Sequence, residues 1–212
     1  MSVLTIDHLV IACEDLASGR GALEEMFGVP LEEGGKHDVM GTHNMLLSMG
    51  HGEYLELIAI DPGGPSPDHA RWYALDEFSG PPRFTHWACR ADSLETALHL
   101  MPPGMGVPNE LQRGDLAWRM AVPEDGRLPL DDLAPAVLQW WGDEHPAARL
   151  PDRGIRLQAL TIHHPQSARV KSALGRVIAD DRLTIVGSAE EETRPSISAV
   201  FETPAGSVTL TR

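Results

Sequence analysis

The sequence is short of cysteine. Cys13 and Cys89 are its only two, and nothing in their positions matches metal-type spacing. Two thiols in a chain of 212 residues exclude a disulfide-stapled scaffold. They are expected to be free thiols of a reducing, cytoplasmic compartment. Positive charge is also scarce, with 17 Lys and Arg against 31 Asp and Glu and a net charge of −14 at pH 7. No basic stripe offsets this, so nucleic acid and anionic membrane surfaces are excluded as partners. No apolar run approaches the roughly 18 residues that span a bilayer. The opening MSVLTIDHLVIACED has no basic n-region and runs directly into a patterned strand, so no signal peptide is expected. A nucleophile elbow (GxSxG), a phosphate loop (GxxxxGKS/T) and a CxxC pair are all missing.

What remains is the composition of a soluble globular protein, 42% hydrophobic and 23% charged. The length suits one domain of two similar halves, or one domain with an appendage. TIDHLVIA alternates and is β-branched, and so predicts a strand. Asp15 is a candidate N-cap for a helix over LASGRGALEEMFG, which Gly28 stops and Pro30 keeps from resuming. GTHNMLLSMGHGEYLELIAID then reads as two strands joined at Gly50-His51-Gly52, with a further short strand possible within 31–40. The Pro- and Gly-rich stretch 61–82 reads as a boundary with one helical turn at 68–76.

The pattern then restarts. RFTHWACRA is a strand, DSLETALHLM a helix capped by Asp92 or Ser93, and DLAWRMAV and APAVLQWWG are strands. Aligning the blocks places His8 over His86 and Leu16 over Leu94, a weak internal repeat. A third block offers strand IRLQALTIHH, a helix starting at Pro165, and strands RLTIVG, SISAVFET and GSVTLTR. It has Ala159 where the first block has His8. Three units are expected, over residues 1–62, 83–143 and 155–212, packed in one domain.

Strand alternation assigns the side chains to faces. Leu9 and Ile11 suit the helix side, which leaves His8 on the opposite, concave face with Ile6, Val10 and Ala12. Likewise Trp87 and Cys89 go under the second helix, and His86 faces the concavity with Arg90 further along. Tyr54, Glu56 and Ile58 share one face, and so do Val137, Gln139 and Trp141. Each repeat therefore offers a His on its first strand and a Glu or Gln on its last. A carboxylate in mid-strand facing a cavity must be paired or bound to a metal. Glu56 could instead pair with Arg90 or Arg119. His43 and Asn44, with His37 just before them, form a polar cluster at a loop-to-strand junction suited to substrate contact. Trp118, Trp140 and Trp141 are expected in the core or a cavity wall, His163-His164 in a structural role, and the acidic run 190–192 in a solvated loop.

The DHLVIACEDL opening, GEYLELIA and THWACRADSL resemble the vicinal-oxygen-chelate superfamily. GTHNMLLSMGHGEYLELIAIDP with THWACRA and VLQWWGDEHPA resembles its glyoxalase-like domain family over most of the chain. The resemblance implies an α+β fold in which βαβββ repeats form a cupped, barrel-like mixed sheet with helices outside. It implies a divalent metal (Zn, Ni, Mn or Fe) held by His8, Glu56, His86 and Gln139, with Glu56 also catalytic. His43, Asn44, Tyr54 and Arg90 would contact the substrate, and the chain would form a homodimer. The activity implied is a metal-dependent lyase, isomerase or hydrolase on a small carbonyl compound. Two other readings stand beside it. One is a non-haem Fe(II) dioxygenase with His8, His86 and Glu56 as a facial triad, favoured if Gln139 turns away. The other is a metal-free binding protein for a small ligand.

Overall fold

The structure, a computed structural model, describes residues 3–142, 144–187 and 194–212. The acidic run 190–192 lies outside the described residues. The first unit is β1 (Leu4–Ala12), α1 (Leu16–Phe27), β2 (Glu32–His37), β3 (Thr42–Gly50) and β4 (Glu53–Ile60). Asp15 caps α1 by accepting from the Ser18 amide, and Gly28 ends it with a left-handed φ of 70°. The β3–β4 turn puts Gly50, His51 and Gly52 all at positive φ, which explains its two glycines. The second unit is β5 (Arg83–Ala91), α2 (Leu94–Leu100), β6 (Val107–Arg113), β7 (Leu116–Val122), the turn α3 (Pro129–Asp132) and β8 (Ala136–Trp140). Between the units lies a short 3-10 segment, Trp72–Glu77.

These strands make one mixed sheet in the order β2-β3-β4-β1-β5-β8-β7-β6. In each unit the last strand lies parallel to the first, and β1 and β5 meet antiparallel at the centre. Edge strands β2 and β6 come into contact, so the sheet curls into a cup. Leu9, Ile11, Leu23, Phe27, Trp87 and Cys89 are almost wholly buried in the core. This is the α+β cupped sheet expected from the sequence.

A bulge corrects one detail of the strand reading. Between Ile6 and His8 the register of β1 on β5 shifts by a residue, so Asp7 is the extra one. His8 lies opposite Ala88 and Val10 opposite His86, whereas Ile6 is opposite Cys89 on the helix side. Ile6 therefore does not share the face of His8.

After α4 (Pro146–Arg149), the third unit is β9 (Arg156–His163), α5 (Ser167–Leu174), β10 (Leu183–Val186), β11 (Ser196–Thr203) and β12 (Gly206–Thr211). It follows the βαβββ element order but not the connectivity. Here the strand after the helix, β10, is the one parallel to β9, in a separate sheet ordered β10-β9-β11-β12. It is fastened to the cup by Phe27 against Phe201 and by Arg182, which donates to both carboxylate oxygens of buried Glu53. No helix among the described residues is long and apolar enough to cross a membrane.

Candidate active site

The bulge in β1 brings Asp7 and His8 together. The fully buried Asp7 carboxylate can only accept, so His8 donates from Nδ1 (2.7 Å). Trp140 Nε1 (3.0 Å) and His145 Nε2 (2.9 Å) donate to the same carboxylate, and Arg90 stands 3.5 Å away. Burial raises the Asp7 pKa, but the hydrogen bonds and charges of His145 and His8 outweigh it and hold the group well below the usual carboxylate range. With its Nδ1 committed, His8 presents Nε2 to the cup. Tyr54 stacks on the ring at 4.7 Å.

Glu56 faces that nitrogen, with Oε2 3.6 Å from His8 Nε2. Its other oxygen accepts from the Asn44 side-chain amide. Asn44 in turn accepts from the Gly35 amide (2.8 Å) and from Arg113 Nη1 (3.1 Å). Neither Arg90 nor Arg119 is the partner of Glu56. Arg90 donates to the Ile6 and Gly52 carbonyls, and Arg119 pairs with Glu95. His37 lines the same cup, its Nδ1 against Thr42 Oγ1 and its Nε2 3.4 Å from Arg113. His43, one residue from Asn44, alternates to the other side of the sheet near Asp61 and Lys36, away from Glu56.

Gly34 makes the Asn44 contact possible. A Cβ there would lie 2.0 Å from Asn44 Oδ1 and 2.8 Å from its backbone oxygen. Gly34→Ala is expected to lower stability by about 1–3 kcal/mol and to pull the amide away from Glu56. Urea denaturation checks the first effect, and the side-chain amide NMR signal of Asn44 checks the second.

Burial keeps His37 neutral, lowering its pKa to about 3, and lowers that of His86 as well. The unfolded chain therefore binds protons on these rings, below its ordinary histidine pKa of 6.5, that the folded chain does not. Stability is expected to fall as pH drops below that value, by up to about 1.4 kcal/mol per pH unit for His37 alone. Midpoints of urea denaturation between pH 4 and 7 should show that slope, and His37→Gln should flatten it.

The expected four-ligand set is not assembled. Gln139 lies on the other face of β8, where its Oε1 accepts from the Leu94 amide (3.0 Å) and from Arg119 (2.8 Å). Leu138 faces the cup instead. His86 is on the concave face, but the Tyr73 ring packs against it at 5.0 Å and the Tyr73 hydroxyl lies 3.4 Å from His8 Nε2. The carboxylate nearest His86 is Asp132, at 3.9 Å. Among the described residues no three His, Cys, Asp or Glu side chains converge as a metal cage. His8 and Glu56 are two donors, where catalytic zinc sites use three. As the side chains stand, the set does not fit a divalent ion.

Tyr73 is the residue that the sequence concealed. It comes from the Pro- and Gly-rich stretch and sits with Ala74 in left-handed backbone, φ 60° and 49°. Trp72 beside it packs edge-on to His37. With these rings, Trp118 and Trp140, the inner cup has a volume of about 20 Å³, room for one water. Outside it, a recess of about 860 Å³ opens between β2, the end of β6 and α4, and Arg113 borders both spaces. Trp141, expected in the core or a cavity wall, is 43% exposed, and Arg119 covers its ring.

A curled sheet of paired βαβββ units with a polar cluster in its concavity defines a glyoxalase-type protein. The family model described as "Glyoxalase-like domain" matches residues 6–178. The chain belongs to that family, within the vicinal-oxygen-chelate superfamily. A hypothetical protein from Staphylococcus aureus is similar in structure at 13% identity and TM-score 0.58, over 99% of this chain and 85% of that one. Methylmalonyl-CoA epimerases are more distant. That of Streptomyces coelicolor, in complex with 2-nitronate-propionyl-CoA, matches at 18% identity and TM-score 0.44, over 68% and 100% of the two chains. That of Mycobacterium tuberculosis matches at 20% and 0.39, over 66% and 89%. No curated protein matches the sequence.

Proposed function

We propose that this protein is a glyoxalase-like isomerase or lyase that moves a proton beside the carbonyl of a small molecule, with Glu56 as the base. The observation that carries this is the Asp7–His8–Glu56 line. It is a buried carboxylate held by one amide and opposed at 3.6 Å by an imidazole whose tautomer a second carboxylate fixes. Such a pair, shielded from water, suits general acid–base work. The C–H proton passes to Glu56 and the electron pair to the carbonyl oxygen. On an α-hydroxy carbonyl the same carboxyl then returns the proton to the neighbouring, former carbonyl carbon, while the hydroxyl proton moves to the oxygen that took the electron pair. Arg113 has no carboxylate within 4.0 Å among the described residues and borders the cup, so it can stabilise the developing oxyanion. The substrate enters from the outer recess, and the Trp72–Tyr73 rings must withdraw for it to reach Glu56. No step in this scheme runs through a metal.

The test is exchange of the α-proton in deuterated water over a panel of 2-oxo acids, 2-oxoaldehyde–thiol adducts and thioesters. Glu56→Gln should slow the active member by about 10²- to 10⁴-fold with its fold unchanged. Exchange that survives in Glu56→Gln would remove Glu56 from the reaction. The filled cup favours a second reading, a small-molecule-binding protein. It would be preferred if ligands shift the melting temperature while no member of the panel exchanges.

A further inference from the structure

On the far side of Tyr73 from Glu56 is a second pocket, of about 160 Å³, with His86 at its inner end. His86 is 3% exposed, and neither ring nitrogen finds a hydrogen-bond partner within the protein. A buried polar group of this kind calls for a ligand or an ordered water. Burial lowers its pKa, so the ring is neutral and has one N–H to give.

Three guanidinium groups line the same pocket: Arg83, Arg127 and Arg212. Two carboxylates face them. Asp132 takes Arg127 and Arg212 at 3.2 Å each, and Glu77 pairs with Arg127. Arg83 makes no ion pair among the described residues, donating to the Ser79 carbonyl and lying over the Phe78 ring. One positive charge is therefore left over, in a chain whose net charge is −14.

The backbone around this pocket is strained. Tyr73 and Ala74 form one wall in left-handed conformation, and Leu130, Asp131 and Asp132 are left-handed in succession (φ 60°, 57° and 64°). The Ala74 amide donates to the carbonyl of Gly126, in the turn that precedes the second stretch. The third unit holds the second of them in place. His164 donates to Asp131 (2.9 Å), and Arg212 donates to the Asp132 carbonyl (2.8 Å). Backbone held in such regions by its surroundings clusters at binding and catalytic sites.

We propose that the pocket formed by His86, Arg83, Arg127 and Arg212 binds a small carboxylate of two to four carbons. A guanidinium fork matches the planar anion, and the His86 N–H supplies a further donor. The volume admits a molecule of that size and excludes a drug-sized one. This gives the third unit a role, because it brings Arg212 to a site built otherwise by the second unit. Occupancy would also bear on the cup, since Tyr73 separates the two spaces.

Titration calorimetry of the full chain with acetate and with pyruvate tests the proposal, with inorganic phosphate as the tetrahedral oxyanion. Pyruvate should bind one per chain. Arg83→Gln and Arg212→Gln should each weaken it at least about tenfold, with unchanged circular dichroism. Arg83 makes no ion pair among the described residues and touches only the Ser79 carbonyl and the Phe78 ring of the preceding loop, so unchanged circular dichroism and urea midpoint in its variant separate binding from folding. No saturable binding of either carboxylate would overturn the proposal, and so would equal affinity in both variants. Phosphate binding as tightly as pyruvate would overturn the carboxylate assignment. Glu56 takes no part in this titration, so the catalytic reading and this one can fail separately.

Discussion

Asp7→Ala should lose about 3–5 kcal/mol of folding stability and, with it, the orientation of His8. Asp7 is fully buried and accepts from His8, Trp140 and His145, with Arg90 beside it. Alanine would leave the donors of two histidines and an indole without an acceptor inside the protein, and would leave Arg90 without its carboxylate. Asp7→Asn keeps the volume but turns an amide NH2 toward groups that are already donors. It should recover part of the packing and little of the hydrogen bonding. Urea denaturation of the three proteins at pH 7 measures the effect. A loss below 1 kcal/mol in the alanine variant would show that the cluster does not hold the bulge. Because Asp7 titrates below its ordinary value of 3.8, its contribution is complete above that pH and is lost as pH falls further.

Tyr73→Ala should merge the two spaces that its ring divides. Removing a buried aromatic side chain costs about 3–5 kcal/mol. Relief of the left-handed backbone returns little, because alanine is also unfavourable at φ 60°. The larger consequence is chemical. Without the phenol, His86 can approach the His8–Glu56 pair, two histidines and one carboxylate being the minimum for a catalytic metal site. Wild-type protein dialysed against Zn or Mn should hold well under one ion per chain. The variant should approach one, and Tyr73→Ala with His86→Ala should not. Plasma mass spectrometry of the dialysed proteins reads this directly. One ion per chain in the wild type would mean that Tyr73 already moves aside in solution.

The strands that alternate strongly were legible in the sequence. LTIDHLVIA, the 42–60 hairpin and RFTHWACRA each gave their faces, and these place His8, Glu56 and His86 in the concavity. VPNELQR was not legible, because β6 has a single buried residue, Leu111, and exists through its ladder with β7. Asp7 was hidden by the assumption of an unbroken period of two, which the bulge violates. Gln139 went astray for a different reason. Parity groups it correctly with Val137, but that face lies under α2, and the apolar Leu138 takes the cup, reversing the usual polarity. Tyr73, Arg113 and Asp132 carried no local signal. They are brought to the site by a turn-rich stretch, a strand end and a left-handed turn, and only tertiary contacts define those positions.

The bulge in β1 also constrains the order of assembly. β1 is made before the strands on which it depends. Its neighbour β4 pairs first, but Arg90 lies 83 residues after Asp7, Trp140 133 and His145 138. During synthesis at about 5–20 residues per second, the Asp7 carboxylate therefore waits about 7–28 seconds for its last partner. The first unit can gather its apolar face meanwhile, but the long-range closure that completes the set of donors around Asp7 belongs to the slow end of folding. A nascent chain halted before Trp140 would hold a partly formed cup in which Asp7 has His8 and Arg90 beside it but lacks the Trp140 and His145 donors.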